Sequence, residues 1–289
     1  MKIGITATST ADLTKEIIDK YNIEIIHFNV ERDGITYPDD TFKTSELFEF
    51  TNKTKKMCHT SAPNVGEYEK YFDKLLNKYD EIIHFTMSSK LSSCYDNAVS
   101  ATHDNPRIKI IDTKGTSGAT ALLIIYALKL RDTGYNSDEI YTRCLQRVPF
   151  LSTSFVIKDL DYLYKGGRCT GLKYYASKLL RLRPVIETNK DGAFVIGKIY
   201  RGESQKCIKK YIEDRLNMFS DIDFDGAYIN ISTCDDETIE MAKNLLKEKG
   251  FKNIYFTEAS PTNSYHAGPS VLGVQFLFDG EQIIKPKNN

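Results

Sequence analysis

Four short polar motifs punctuate this chain: Thr60-Ser61-Ala62-Pro63, Ser88-Ser89-Lys90-Leu91-Ser92-Ser93, Lys165-Gly166-Gly167-Arg168 and His266-Ala267-Gly268-Pro269. Hydroxyl, guanidinium and imidazole groups can all hydrogen-bond an anion. No nucleophile with a base and an orienting carboxylate accompanies them. The patterns GxSxG, GxGxxG and HExxH do not occur in the sequence. Gly268 to Gly273 has GxxxxG spacing, but Val274-Gln275 follow where a phosphate loop needs Lys-Ser/Thr. Asp39-Asp40 and Asp235-Asp236 lack neighbours that would complete a metal site, so they read as solvated turns or helix starts. The chemistry on offer is holding an acid. No catalytic residue, metal or cofactor is expected.

Each motif also has a plain structural use. Thr60 to Asn64 precedes a helical stripe containing Glu67, as an N-cap with an early proline would. The same helix start offers hydroxyls and N–H groups to an anion. Ser88 to Ser93 follows an apolar strand, at the end where open α/β sheets bind ligands. Four serines in six positions exceed what one cap requires. The Gly-Gly pair fits a turn needing positive φ, and His266-Ala267-Gly268-Pro269 reads as a turn before the last strand. Arg168 and Arg201 are candidate exposed guanidinium groups.

The elements that must position these groups alternate in the first half. Strands are expected at 3–6, 23–30, 81–87 and 108–112, with a hairpin turn at Asp33-Gly34. Helices are expected at 10–21, capped by Ser9 or Thr10, and at 44–51, 65–79, 91–102, 117–131 and 137–148. That alternation argues for right-handed βαβ units and a mostly parallel sheet. The second half mixes strands at 153–157, 185–188, 194–200, 227–232, 254–258 and 273–278 with helices at 160–164, 172–182, 205–218 and 237–249. The fold class is therefore α/β, with an N-terminal domain at 1–155 and a C-terminal α+β domain at 156–289. A cleft between two such domains is the default ligand site.

Bulk properties narrow the function. Lys+Arg and Asp+Glu both number 39, so a broad electrostatic footprint for nucleic acid is missing, although Lys178, Arg181 and Arg183 form a local basic group. The six cysteines show no CxxC and no zinc spacing, and read as small packing groups in a reducing, cytoplasmic protein. The apolar stretch 119–130 is too short to span a bilayer and reads as a buried helix.

Taken in order, the motifs resemble the DegV family of bacterial fatty-acid-binding proteins, which includes the FakB subunit of fatty acid kinase. The resemblance starts at Ser9-Thr10-Ala11-Asp12-Leu13 and Asp33 to Asp39. It continues through Thr60-Ser61-Ala62-Pro63 and Ser88 to Ser92. Asp159 to Arg168 is its most specific stretch, and Arg183-Pro184-Val185-Ile186 and His266-Ala267-Gly268-Pro269 close it. Thr8, Ser93-Cys94 and Ser270 depart from the family pattern, and the segment around Arg201 aligns loosely.

The resemblance implies a DegV-like two-domain fold with a long-chain fatty acid between the domains. Thr60, Ser61, Ser92 and His266 would surround its carboxylate, and Arg168 and Arg201 would face a kinase partner or a phosphate. The implied role is a lipid-binding subunit, not itself an enzyme, that presents the acid to a separate ATP-binding kinase subunit for acyl-phosphate formation. Transient contact with a membrane surface would accompany that role. Burying a sixteen-carbon tail is worth on the order of 10 kcal/mol, at about 0.8 kcal/mol per methylene. Leu122–Leu128 and Leu179–Leu182 are apolar segments that could line its path. Two alternatives stay open: an acyl carrier with no kinase, and an independent enzyme on a small carboxylic acid using Ser92 and His266.

Overall fold

A computed structural model describes residues 1–158, 160–168 and 182–279. The first half runs β1 (Ile3–Thr8), α1 (Lys15–Tyr21), β2 (Glu24–Ile26), β3 (Asn29–Arg32), β4 (Ile35–Pro38), α2 (Thr44–Thr54), β5 (His59–Ser61), α3 (Val65–Leu76), β6 (Glu81–Thr86), α4 (Cys94–Ser100), β7 (Ile108–Asp112), α5 (Gly118–Asp132) and α6 (Ser137–Arg147). It continues with β8 (Leu151–Ser152), β9 (Ser154–Val156), α7 (Asp161–Lys165), β10 (Leu182–Thr188), β11 (Phe194–Arg201), α8 (Ser204–Leu216), β12 (Ile222–Ser232), α9 (Asp236–Glu248), β13 (Asn253–Glu258), α10 (Pro261–Ala267) and β14 (Val271–Phe278).

Strands β2-β1-β6-β7 form a parallel sheet in that order. Ile5, Ile83, Phe85 and Ile111 are buried in it, as the apolar runs of a covered parallel sheet require. A small antiparallel sheet, β4-β3-β5, stands apart. Its hairpin turns at Asp33 and Gly34, with φ of 53° and 79°, the pair of positive values that a type I′ turn needs. The expected strand 23–30 is thus two strands of different sheets. Phe28 lies between them, with its N–H on Ser9 Oγ (3.0 Å) and its carbonyl taken by Asp39 N–H (2.8 Å).

The mixed sheet has the order β11-β10-β9-β14-β12-β13, with β8 also on β14. β12 and β13 pair in parallel across α9; the other pairs are antiparallel. Helix α5 lies between this sheet and the parallel one. Its apolar residues point all round and are buried, apart from partly buried Ile125 and Tyr126. Leu122 to Leu128 belong to this shared core, not to a ligand path.

Other expectations shift. The chain starts α1 at Lys15, with Thr14 as its cap (3.4 Å to Ile17 N–H); neither Ser9 nor Thr10 caps it. The reason is Asp12, whose φ of 50° breaks the helical run. The expected helix 172–182 lies outside the described residues apart from Leu182, which opens β10; Lys178, Arg181, Cys169, Asp159 and Leu179–Arg181 are likewise outside. Asp39 is buried, not solvated: it accepts from Ser9 Oγ (2.9 Å) and Thr262 Oγ1 (2.8 Å) and contacts His27 Nδ1 (3.1 Å). Asp235 does start a helix, capping α9 through Thr238 N–H at 2.8 Å.

Gly118 marks the closest approach of α5 to the mixed sheet. A Cβ there would fall 2.5 Å from Asn230 Oδ1, 2.6 Å from Gln275 Oε1 and 2.6 Å from Tyr228 Cβ. Gly118→Ala is expected to destabilise the fold by about 1–3 kcal/mol through overpacking, read as a lowered urea midpoint. An unchanged midpoint would mean that α5 slides freely on the sheet.

Candidate functional site

The loops after β6, strand β5 and helices α7 and α10 enclose a cavity against one face of the mixed sheet. It contains about 760 Å³ of empty space with its open mouth included. Phe28, Met87, Leu91, Phe155, Phe194 and Val271 supply apolar wall. Phe194 reaches it on the β10–β11 hairpin. At the tip of that hairpin is Gly192 (φ 89°), so close to the other half that a Cβ there would lie 2.2 Å from Ser88 Oγ.

Thr60 sits in β5, paired with Val30 of β3. Sequence reading placed it at a helix start, but Asn64 caps α3 in a full capping box with Glu67 (3.0 and 2.7 Å). The Thr60 hydroxyl is therefore not used as a cap. It lines the cavity and lies 2.6 Å from His266 Nε2. Successive strand residues face opposite sides. Ser61 accordingly points away: it is exposed and does not line the cavity.

His266 lies in the last turn of α10, a helix where the sequence suggested only a turn. Ser260-Pro261 was the available signal: Ser260 caps the helix and Pro261 occupies its first turn. The imidazole packs on Gly166, where a Cβ would fall 2.3 Å from Nδ1. Gly166 is thus required for close approach and Gly167 for its φ of 72°. Burial, and next the charge of Arg168, push the His266 pKa down to about 3. The ring is neutral at physiological pH. Its ¹⁵N shifts are expected to show no protonation from about pH 8 down to about pH 5 in ligand-free protein. A titration near pH 6.5 would show that the ring is solvated.

Arg168 extends across the cavity wall, donating from Nε to Leu91 O (3.3 Å) and from Nη1 to Gly166 O (2.5 Å). Leu91 lies in the serine-rich loop, so this guanidinium joins two of the motifs. Ser92 lines the cavity; its Oγ accepts from Cys94 N–H (3.2 Å), which leaves its proton to donate. The other serines fix the loop. Ser88 Oγ accepts from Lys90 N–H (3.2 Å), and Ser89 Oγ donates to Asp112 Oδ2 (2.6 Å). Thr60, Ser92, Arg168 and His266 therefore share one cavity. Arg201 is not among its lining; it is exposed at the end of β11.

A second, smaller cavity of about 410 Å³ lies against the same head-end residues. It shares Thr60, Arg168 and His266 with the first and adds Cys58, Gly166 and Lys165.

A clamp behind the site, centred on Asp12, was not anticipated from the sequence. Asp12 is buried and accepts from Ser260 N–H (2.8 Å), Asn263 Nδ2 (2.9 Å) and the Ser117 hydroxyl. Burial pushes its pKa up to about 6, against those hydrogen bonds. Its αL conformation, with φ of 50°, is one that Asp, Asn and Gly adopt most readily. Cys58, Cys94, Cys144 and Cys207 are buried free thiols, and Cys234 is partly buried. Among the described residues, no cluster of three His, Cys, Asp or Glu could hold a metal, and no helix is long and apolar enough to cross a membrane.

Comparison with known proteins agrees with this architecture. A DegV domain-containing protein of Caldanaerobacter subterraneus is 28% identical over 279 residues, 95% of this chain and 98% of that relative. A Thermotoga maritima protein whose structure is described as revealing a fatty-acid-binding function superposes with a TM-score of 0.79 at 25% identity, covering 96% of this chain and 100% of that one. A DegV family protein from Thermus thermophilus, described by its fatty acid binding, has the same fold, with a TM-score of 0.86 at 21% identity over 96% of this chain and 100% of its own. The family model described as DegV, uncharacterised protein, matches residues 2–279, and the chain belongs to the DegV family.

Proposed function

We propose that this protein binds a long-chain fatty acid and presents its carboxylate to a separate ATP-dependent kinase subunit. The observation that carries this reading is one largely apolar cavity with Thr60, Ser92 and His266 among its walls, and a second cavity that shares Thr60 and His266. The binding described for the Thermotoga maritima relative supports the ligand class. The acyl chain occupies the space bounded by Phe28, Met87, Phe155 and Phe194, between domains 1–155 and 156–289. The carboxylate accepts hydrogen bonds from the Thr60 and Ser92 hydroxyls. Its negative charge also faces Arg168, which offsets the cost of leaving water. His266, neutral before binding, becomes easier to protonate beside a carboxylate.

In the proposed reaction a carboxylate oxygen attacks the γ-phosphorus of ATP held by the partner. The bond to the β–γ bridging oxygen breaks, and acyl phosphate and ADP leave. Lys165 and Arg168, both at the smaller cavity, face the phosphoryl group as charge develops. The protein itself supplies no nucleotide site in this scheme, acts in the cytoplasm and touches the membrane surface only to exchange lipid.

Native mass spectrometry of protein purified from a bacterial host, followed by lipid extraction, tests the first step. A stoichiometric long-chain fatty acid is the expected result. A protein that arrives empty and takes up no added fatty acid would overturn the reading. Reconstitution with a fatty acid kinase subunit and ATP tests the second step; bound acid with no acyl phosphate would reduce the role to that of a carrier.

A further inference from the structure

The cavity has a second polar region that the carboxylate does not use. Thr153, Asn230, Ser232 and Gln275 line it, and all are at least nine-tenths buried, at 2%, 6%, 1% and 2% exposure. They come from β12, β14 and the residue between β8 and β9, on the mixed sheet, whereas Thr60 lies in the small sheet. Each has a polar atom without a hydrogen-bond partner among the described residues: Thr153 Oγ1, Asn230 Nδ2, Ser232 Oγ and Gln275 Oε1.

The two amides are held in fixed orientation by their other ends. Asn230 Oδ1 accepts from Gly118 N–H (2.9 Å), and Gln275 Nε2 donates to Ser154 O (3.2 Å). Turning either amide over would oppose donor to donor or acceptor to acceptor. The free atoms are therefore one donor, Asn230 Nδ2, and one acceptor, Gln275 Oε1. The two side chains lie together, since both reach within 2.6 Å of where a Gly118 Cβ would sit. A methylene chain satisfies neither. A hydroxyl group satisfies both, accepting from the amide N–H and donating to the amide oxygen. The Thr153 and Ser232 hydroxyls can take either role.

We propose that this wall is a second polar subsite that receives a hydroxyl group carried on the acyl chain, so that hydroxylated long-chain acids are preferred ligands. The proposal rests on the fatty-acid reading above and specifies its substrate class. Buried polar groups left unpaired by the wrong ligand discriminate strongly, whereas apolar pockets discriminate weakly.

The test is displacement of a fluorescent fatty acid by octadecanoic acid and by a positional series of monohydroxy-octadecanoic acids. At one position of the series, the hydroxy acid is expected to bind at least about tenfold more tightly than the parent. Gln275→Met should remove that preference. Thr153→Val with Ser232→Ala should reduce it, and because these hydroxyls have no hydrogen-bond partner among the described residues, the fold should tolerate the change. If every hydroxy acid binds no better than the parent, the subsite is overturned and the fatty-acid reading stands. If neither the parent nor any hydroxy acid binds, both fall.

Discussion

Thr60→Val lowers the affinity for a long-chain fatty acid by roughly 10- to 100-fold while the adjacent Ser61→Ala leaves it unchanged; this contrast is the expected result of a binding titration. Valine keeps the shape of threonine and removes one donor. A hydrogen bond to a charged group is worth about 1.5–3 kcal/mol, which gives the stated range. His266 would lose its 2.6 Å partner as well. Ser61 is exposed on the other side of β5, so its hydroxyl has no part in the cavity. Equal losses at both positions would mean that the strand, not the Thr60 hydroxyl, matters. No loss at either would remove Thr60 from the carboxylate site.

The second large effect concerns stability. Asp12→Ala leaves Ser260 N–H and the Ser117 hydroxyl without their acceptor, and Asn263 Nδ2 with Thr10 O alone. Unsatisfied buried groups cost about 1–3 kcal/mol each and do not add fully, so a total of about 3 kcal/mol near pH 5 is expected. That corresponds to a fall in Tm of roughly 6–12 °C. The pH dependence has a definite sign. The folded pKa is about 6, above an unfolded value of about 3.9. Between those values the folded state holds the extra proton, so wild-type stability from this group falls as pH rises. The contribution is fully present below about pH 4 and is lost through about pH 6. The gap between wild type and variant should therefore narrow from pH 5 to pH 7 in urea denaturation. A gap that widens would show that Asp12 stabilises the fold as a carboxylate.

What could be read from the sequence follows the range of the interaction. Strands β1, β6 and β7 and helix α5 carry strong apolar patterns, and each was expected close to where it lies. β5 has three residues and forms only by pairing with distant β3, so local pattern could not reveal it. α10 has seven residues, and its His-Ala-Gly-Pro ending resembles a turn because it is the end of a helix. Thr60, Ser92, Arg168 and His266 could be singled out because polar groups at strand and helix ends are visible in sequence. Ser61 could not be told apart from them, because strand parity depends on the fold, and Arg201, expected as an exposed guanidinium, lies exposed at the end of β11 away from the cavity. Asp12 and Asp39 gave still less signal: their partners Ser260, Thr262 and Asn263 lie more than 200 positions away. For the same reason Thr153, Asn230, Ser232 and Gln275 look like ordinary strand residues until β12, β14 and the link between β8 and β9 bring them to one cavity wall.

Helix α5 has a bearing on how ligand enters and leaves. Tyr228 and Leu277 of the mixed sheet share one core cluster with Ile5 and Ile83 of the parallel sheet, and α5 lies in its centre. Parting the two sheets like a clamshell would strip that helix bare, including Leu123 and Ile124, at several kcal/mol of exposed hydrocarbon. The β10–β11 hairpin is rooted in the mixed sheet by its pairing to β9 and by buried Val185 and Ile186, and its tip at Gly192 and the Phe194 ring reach over the cavity. Under the proposed function, ligand exchange costs least through movement of that hairpin tip, with the two sheets staying packed on α5.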